Sequence, residues 1–260
     1  MEQLFEQIFL VVVGFIVGLL GTLIGVGGGF ITVPVLSLIY NTSPQNTAGT
    51  SLVVIFLNAF SGTISYARQR RINYRIGVLF ALTAIPGAII GSYVVQYVSK
   101  ELFMSLFGLL LLLISGYIML KKSDDGAGGI KISSGRMAVA LIVSFFAGVV
   151  STIFGIGGGN IHMPVMLLIL GMAVHNATAT SHFILVITSL VGAGAFLVRG
   201  QVDVNYAILI GCGAIVGAQI GAYISNMVRG RFIRQIFALV MLLLAVRMIY
   251  EGARNIFYIP

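Results

Sequence analysis

Charge is scarce in this sequence. Only 8% of its 260 residues are charged and 58% are hydrophobic, whereas a soluble domain carries about 25% charged residues. A fold of this size leaves much of its chain facing water, and the polar groups here are too few to cover it. The shortage excludes a soluble globule and points to lipid. Cysteine is nearly missing. Cys212 alone permits neither an internal disulfide nor a cysteine-based metal site, and in its apolar, glycine-rich run it reads as a small packing residue. Acid is also sparse. Glu2, Glu6, Glu101, Asp124, Asp125, Asp203 and Glu251 all fall in loops or at the ends of apolar runs. A carboxylate proton relay is thereby disfavoured, as is a cation pathway, which offers negative charge or many carbonyls. No phosphate loop ending in Gly-Lys-Ser/Thr is present, which argues against ATP-driven pumping by this chain and leaves no cofactor to expect. The N-terminal MEQLFEQ lacks the basic start of a cleaved signal, so the first apolar run is expected in the mature fold.

The net charge of +8 sits in short clusters between apolar runs rather than on one amphipathic face. Such clusters are topology signals, not a nucleic-acid surface. Ten apolar stretches are visible, at roughly 8–24, 30–40, 48–67, 76–98 and 102–120, then 137–154, 160–171, 178–198, 206–228 and 233–250. A spanning helix needs about 20 residues, so the second of each five is too short. The first two, joined by glycines, are expected to form a tight hairpin or broken helix that turns near the middle of the bilayer.

The stretches repeat at an offset of 130 residues without a gap. TLIGVGGGFITVPVL (22–36) becomes TIFGIGGGNIHMPVM (152–166), NTAGTS (46–51) becomes NATATS (176–181), and GAIIGSY (87–93) becomes GAQIGAY (217–223). Loop charges alternate between the halves. Arg68, Arg70, Arg71 and Arg75 follow the third stretch of the first half, where the second half has RGQVD (199–203). The neutral SKE (99–101) is answered by Arg229, Arg231 and Arg234. Positive charge on opposite sides of equivalent helices is the mark of inverted topology. We therefore expect an all-α integral membrane fold of two inverted repeats of about five helical segments each, 1–120 and 137–260, with their glycine-rich broken or re-entrant hairpins meeting near the midplane, joined by a cytoplasmic linker at 121–136, with both termini extracytoplasmic in a plasma membrane.

Inverted repeats in membranes usually mean transport, with substrate held where helices are interrupted. Both interruptions are Gly-x-Gly-Gly-Gly, at 25–29 and 155–159. The amides of Gly27, Gly28 and Gly29 and of Gly157, Gly158 and Gly159 are candidate anion donors, since glycine lets a ligand approach the backbone closely. A dinucleotide fingerprint is excluded, because Phe30 stands where a third glycine is required. Thr47, Thr50 and Ser51 open the third stretch and are matched by Thr178, Thr180 and Ser181, whose hydroxyls can cap helix starts or donate to an anion. The halves also differ. Phe30, Thr32, Leu52 and Ile89 are replaced by Asn160, His162, His182 and Gln219. Polar groups at membrane depth are costly and usually face a cavity or functional site. If protons are coupled to transport, His162 and His182 are the titrating groups, while His175 reads as interfacial. Neutral donors with histidine suit a small anion.

The paired GxGGGxxxxP segments, each followed by an Asn-, Thr- and Ser-containing segment, resemble the TauE/SafE family of sulfite exporters, also described as the toluene sulfonate uptake permease family. The resemblance spans essentially the whole chain and is most specific at 21–51 and 151–181. It implies movement of sulfite, thiosulfate, sulfoacetate or related organosulfur anions. The expected site is Gly27–Gly29, Thr50, Ser51, Gly157–Gly159, Asn160, His162, Thr180, Ser181 and His182, in an alternating-access carrier or, as the alternative, an anion channel or uniporter of the same architecture.

Overall fold

A computed structural model describes residues 2–120, 133–225 and 230–257. Among these every regular element is helical: α1 (Glu2–Ile24), α2 (Gly29–Pro34), α3 (Pro44–Arg68), α4 (Tyr74–Val94), α5 (Lys100–Leu120), α6 (Ser134–Phe154), α7 (Gly159–Leu168), α8 (Val174–Leu197), α9 (Val204–Ile224) and α10 (Gly230–Phe257). All ten apolar stretches are recovered. Several helices begin before the apolar run because a polar residue caps them. Ser43 Oγ accepts from the Asn46 amide, Asn73 Oδ1 from Ile76, Ser133 Oγ from Arg136 and Asp203 Oδ1 from Tyr206.

Six of the described helices, α1, α3, α4, α6, α8 and α9, are long and apolar enough to cross a membrane. This alters the expected hairpin. At 1.5 Å per residue the 23 residues of α1 reach about 35 Å, enough to span alone. Only the return is short, so the glycine turn follows a full-length helix rather than dividing a small hairpin. In α2, Pro34 removes a backbone donor, and a π-helical turn follows at Val35–Ile39.

The packing exchanges partners between the halves. α1 lies along α9 and α4 along α6, α3 packs on α8, and α5 pairs with α10. Small residues permit the first two contacts. Gly14 and Gly18 of α1 press on the backbone of Ile210 and Ala214, while Gly217 and Gly221 of α9 press on Phe15 and Leu19. Gly148 of α6 meets Ala84, and Gly87 and Gly91 of α4 meet Phe145 and Val149. Each is the 130-residue counterpart of a contact in the other pair. Cys212 corrects the sequence reading. It lies off the Gly213–Gly217–Gly221 stripe and is exposed on the outer face of α9, not packed.

Polarity runs inside out. Leu82, Leu113, Ile142 and Leu243 are 60% exposed or more, whereas Thr22, Asn58, His162 and His182 are fully buried. That is the pattern of a protein solvated by lipid, and the chain is a multi-pass membrane protein.

Candidate functional site

Each glycine in the two interruptions has its own reason. Gly25, Gly27 and Gly28 have φ of 84°, 87° and 84°, and Gly155, Gly157 and Gly158 have 66°, 74° and 80°, a left-handed conformation that costs other residues steric strain. Gly29 and Gly159 have ordinary φ but no room. A Cβ on Gly29 would stand 2.5 Å from the Gly155 carbonyl oxygen, and one on Gly159 would stand 2.6 Å from that of Gly25. The two turns therefore touch backbone to backbone, each last glycine fitting against the first of the other turn.

Serine locks this contact. Ser51 Oγ donates to the Gly155 carbonyl at 2.6 Å and Ser181 Oγ to the Gly25 carbonyl at 2.9 Å. Thr50 and Thr180 serve helix starts, but those of the opposite half. Thr50 Oγ1 accepts from the Asp203 amide at 2.9 Å and Thr180 Oγ1 from the Asn73 amide at 3.0 Å, the cap residues of α9 and α4. Thr47 bonds the Thr42 hydroxyl at 2.6 Å, and Thr178 packs against Gly25. Over the glycines lie Ile55 and Leu185, another pair at the 130-residue offset. The Leu185 methyls stand over Gly27 and Gly157, as does Ile55 Cγ2, and both side chains are fully buried.

Donors remain within this contact. Among the described residues, the amides of Gly28 and Gly29 and of Gly157, Gly158, Gly159 and Asn160 have no backbone acceptor, because each stands at or just before the start of a helix, whose first N–H groups have none. Asn160 adds more. Its side chain is 4% exposed, yet neither Nδ2 nor Oδ1 has a partner. Native structures rarely leave a buried amide so.

The two buried histidines have assignable protons. Asn58 Nδ2 donates to the Gly27 carbonyl at 3.0 Å, so Oδ1 faces Thr22, whose hydroxyl donates to it at 2.8 Å. Thr22 has then spent its proton, and His182 Nε2, 3.2 Å away, must donate to Thr22 Oγ1. His162 repeats the logic. Ser144 Oγ donates to the Phe80 carbonyl at 2.9 Å, so His162 Nε2, at 3.0 Å, donates to Ser144. Both neutral rings are Nε2–H tautomers by this network. Each Nδ1 carries the free lone pair and makes no hydrogen bond, although a carbonyl four residues earlier, Gly158 or Thr178, faces the ring. His175 is exposed, and Gln219 donates sideways to Ser61.

Residues that sequence reasoning missed complete the arrangement. Thr22, Asn58 and Ser144 set the histidine protons, and Ile55 and Leu185 cover the turns. Thr22 recurs as Thr152 and so was visible as a repeat. The others carried no motif signal. A separate cleft of about 480 Å³ opens elsewhere, between the start of α1 (Gln3, Glu6, Gln7) and the start of α9 (Asp203, Asn205, Tyr206).

Known proteins place the chain directly. The family described as sulfite exporter TauE/SafE matches it over residues 10–248. The chain belongs to the TauE/SafE family. Relatives include the Bacillus subtilis "Probable membrane transporter protein YunE", 33% identical over 94% of this chain and 98% of its own. The Methanocaldococcus jannaschii "Probable membrane transporter protein MJ0441" is 28% identical, covering 86% of this chain and 88% of its own. A Sinorhizobium "Probable membrane transporter protein ORF9" is 29% identical over 94% and 92%. No solved structure matches the chain. Membership of the TauE/SafE family and these names agree with the helical, lipid-facing fold: the protein is a membrane transporter.

Proposed function

We propose that this chain carries small sulfur-containing oxyanions, such as sulfite, thiosulfate, sulfoacetate or other organosulfonates, by alternating access between two inverted repeats, 1–120 and 137–260. The observation that carries this reading is the meeting of the two glycine turns, which concentrates unpaired amides and the partnerless Asn160 amide in a buried place. Aligned N–H groups at helix starts favour a negative guest. The family description supplies the sulfur. Gly28, Gly29, Gly157–Gly159 and Asn160 bind the oxyanion, whereas the Gly27 amide, expected among them, is spent on the Gly21 carbonyl at 3.2 Å. Thr50, Ser51, Thr180 and Ser181 hold the turns in register. His162 and His182 offer Nδ1 to a co-transported proton, and their rings lie edge-on to Phe80 and Tyr66 respectively.

Inversion is supported by which ends meet. Gln45 donates to the Val95 carbonyl and Lys100 bonds Asn41, joining the starts of α3 and α5 to the end of α4. Gln69 donates to the Ala222 carbonyl, joining the ends of α3 and α9 at the opposite face. In this reading the arginines at 68–75 make that second face the cytoplasmic one, with both termini outside in a plasma membrane.

Burial favours a carrier over the channel or uniporter alternative. With Ile55 and Leu185 fully covered and the turns in contact, substrate reaches the amides only after the repeats move. Proteoliposomes loaded with unlabelled sulfite should accumulate labelled sulfite by counterflow, and Asn160→Ala should weaken it. Ohmic current without counterflow would overturn the carrier, and indifference to every sulfur oxyanion would overturn the substrate.

A further inference from the structure

Four arginines lie in or beside the turn between α3 and α4, with Arg68 ending α3 and Arg75 in the first turn of α4. Arg68, Arg70 and Arg75 are exposed, as charges that hold a loop on one side of a membrane should be. Arg71 differs. Its side chain is half-buried, and one guanidinium nitrogen, Nη1, is shut away from solvent without an acceptor. A guanidinium spends its donors on carboxylates, phosphates or carbonyls. Hiding a cationic nitrogen with none of these is costly.

The backbone aims it there. α3 ends with the Arg71 amide donating to the Tyr66 carbonyl at 3.3 Å and the Arg70 amide to Ala67 at 3.0 Å, with Arg70 left-handed at φ 55°. α8 ends the same way, with the Gln201 amide on Phe196 at 3.0 Å and the Gly200 amide on Leu197 at 3.0 Å, but there the left-handed residue is Gly200, at φ 67°. Glycine is the natural occupant of that position. The residue that follows turns toward the bundle in both halves. Gln201 exchanges two hydrogen bonds with Gln96, at 2.8 and 2.7 Å. Arg71, in the matching place, brings a cation instead.

No described carboxylate is near it. Asp203 caps the start of α9, while Gln69, two residues before Arg71, bonds Ala222 at that helix's other end. Glu6 lines the cleft beside Asp203, and the backbone of Glu101 meets Gly252, next to Glu251. The position also leads inward. The Arg71 amide is bonded to the Tyr66 carbonyl, and the Tyr66 hydroxyl donates to the Thr22 carbonyl at 2.7 Å. Thr22 in turn holds His182 and Asn58, whose amide ends on Gly27.

We infer that Arg71 is the centre of a second oxyanion site, at the mouth of the bundle between α3 and α4. It takes a tetrahedral or trigonal oxyanion, which either arrives free from that side or is the phosphodiester headgroup of an anionic lipid. The inference stands apart from the glycine-turn reading, since it rests on a different cation in a different place.

The test is a thermal shift of the full chain. Wild type, Arg71→Gln, Arg71→Lys and Arg75→Gln are compared, first in lipid-free detergent against sulfite, thiosulfate and inorganic phosphate. They are then compared in nanodiscs of phosphatidylcholine with and without phosphatidylglycerol. Wild type and Arg75→Gln should be stabilised by at least one probe, because a ligand bound only to the native state raises its melting temperature. Arg71→Gln should lose that shift. Arg71→Lys, which keeps charge but not the planar fork, should weaken the half-saturating concentration roughly tenfold, and it carries the test if the glutamine variant does not fold. A shift from free anions assigns the site to the transported species, and one from phosphatidylglycerol alone assigns it to lipid. Wild type responding to no probe, or Arg71→Gln responding like wild type to all, would overturn the inference. Asn160→Ala should keep the Arg71-dependent shift while losing counterflow, which separates failure here from failure of the transport site.

Discussion

Gly159 fits against Gly25 so tightly that a Cβ on Gly159 would lie 2.6 Å from the Gly25 carbonyl oxygen. The reciprocal contact of Gly29 with Gly155 leaves 2.5 Å. Both are well inside van der Waals separation, and the obstacle is backbone, which cannot swing aside. Alanine at 29 or 159 should therefore force the turns apart and cost about 1–3 kcal/mol or more. Melting curves followed by fluorescence size-exclusion would read this as a clear fall. Gly194→Ala, where a Cβ meets nothing within 4 Å, should leave the curve in place or raise it slightly. Equal tolerance at 159 and 194 would mean the turns do not touch.

The serines that close this contact give a second prediction. Ser51→Ala and Ser181→Ala each remove one hydrogen bond and leave a buried carbonyl short of a donor. Each should destabilise the protein by about 1–3 kcal/mol with little change in the half-saturating concentration for transport. Each hydroxyl proton is already committed to Gly155 or Gly25, so it is not free for an anion. A variant with an unchanged melting temperature but much weaker substrate affinity would reverse that assignment.

These contacts mark what the sequence could and could not tell. Gly25, Gly27 and Gly28 were legible as a backbone opening because repeated glycine beside proline has few other causes. That the two openings meet was expected from the repeat itself, and they do; which glycine fits against which was not legible, since the partner of Gly159 depends on how the helices pack, not on its neighbours in the chain. The hydroxyls of Thr50 and Thr180 were recognised as helix-start groups, but the helices they serve belong to the opposite half, a relation no local pattern encodes. Cys212 looked like a packing residue because glycines flank it. Only the register of α9, which turns Gly213, Gly217 and Gly221 toward α1, decides that it faces outward. Ile55 and Leu185 gave no signal, because aliphatic residues are the background of any membrane helix.

Ile55 and Leu185 carry the third prediction. Their methyl groups are the atoms nearest to the space over Gly27 and Gly157, and both are 0% exposed. Truncating either to alanine should open a path between the turns. Leu or Ile to Ala in a packed interior costs about 2–5 kcal/mol, so a fall in melting temperature is expected in both variants. The distinctive result is functional: the double variant should pass sulfite in proteoliposomes without counter-substrate. A double variant that is folded yet shows no uncoupled flux would remove these side chains from the barrier.

Orientation follows from charge and can be tested through the lone cysteine. Arg68, Arg70, Arg71 and Arg75 lie in or beside the turn after α3, and Arg229, Arg231 and Arg234 follow in sequence at the junction of α9 and α10. Toward the opposite face Glu6, Glu101 and Asp203 accompany Lys100 and Arg199. Arginine and lysine near helix ends remain on the cytoplasmic side during insertion. Cys212→Ala supplies a background without reactive thiols, and its outward position on α9 makes that change structurally mild. On this background Tyr97→Cys, at a residue 90% exposed and beside Lys100, should react with a membrane-impermeant maleimide in intact cells. Arg75→Cys should react only after the cells are opened. Arg75 lies in the first turn of α4 and Tyr97 just past its end, so the length of one helix separates the two thiols, and labelling of both from the same side would mean that α4 does not cross. Labelling in the reverse order would place the arginine face outside and move the Arg71 mouth with it.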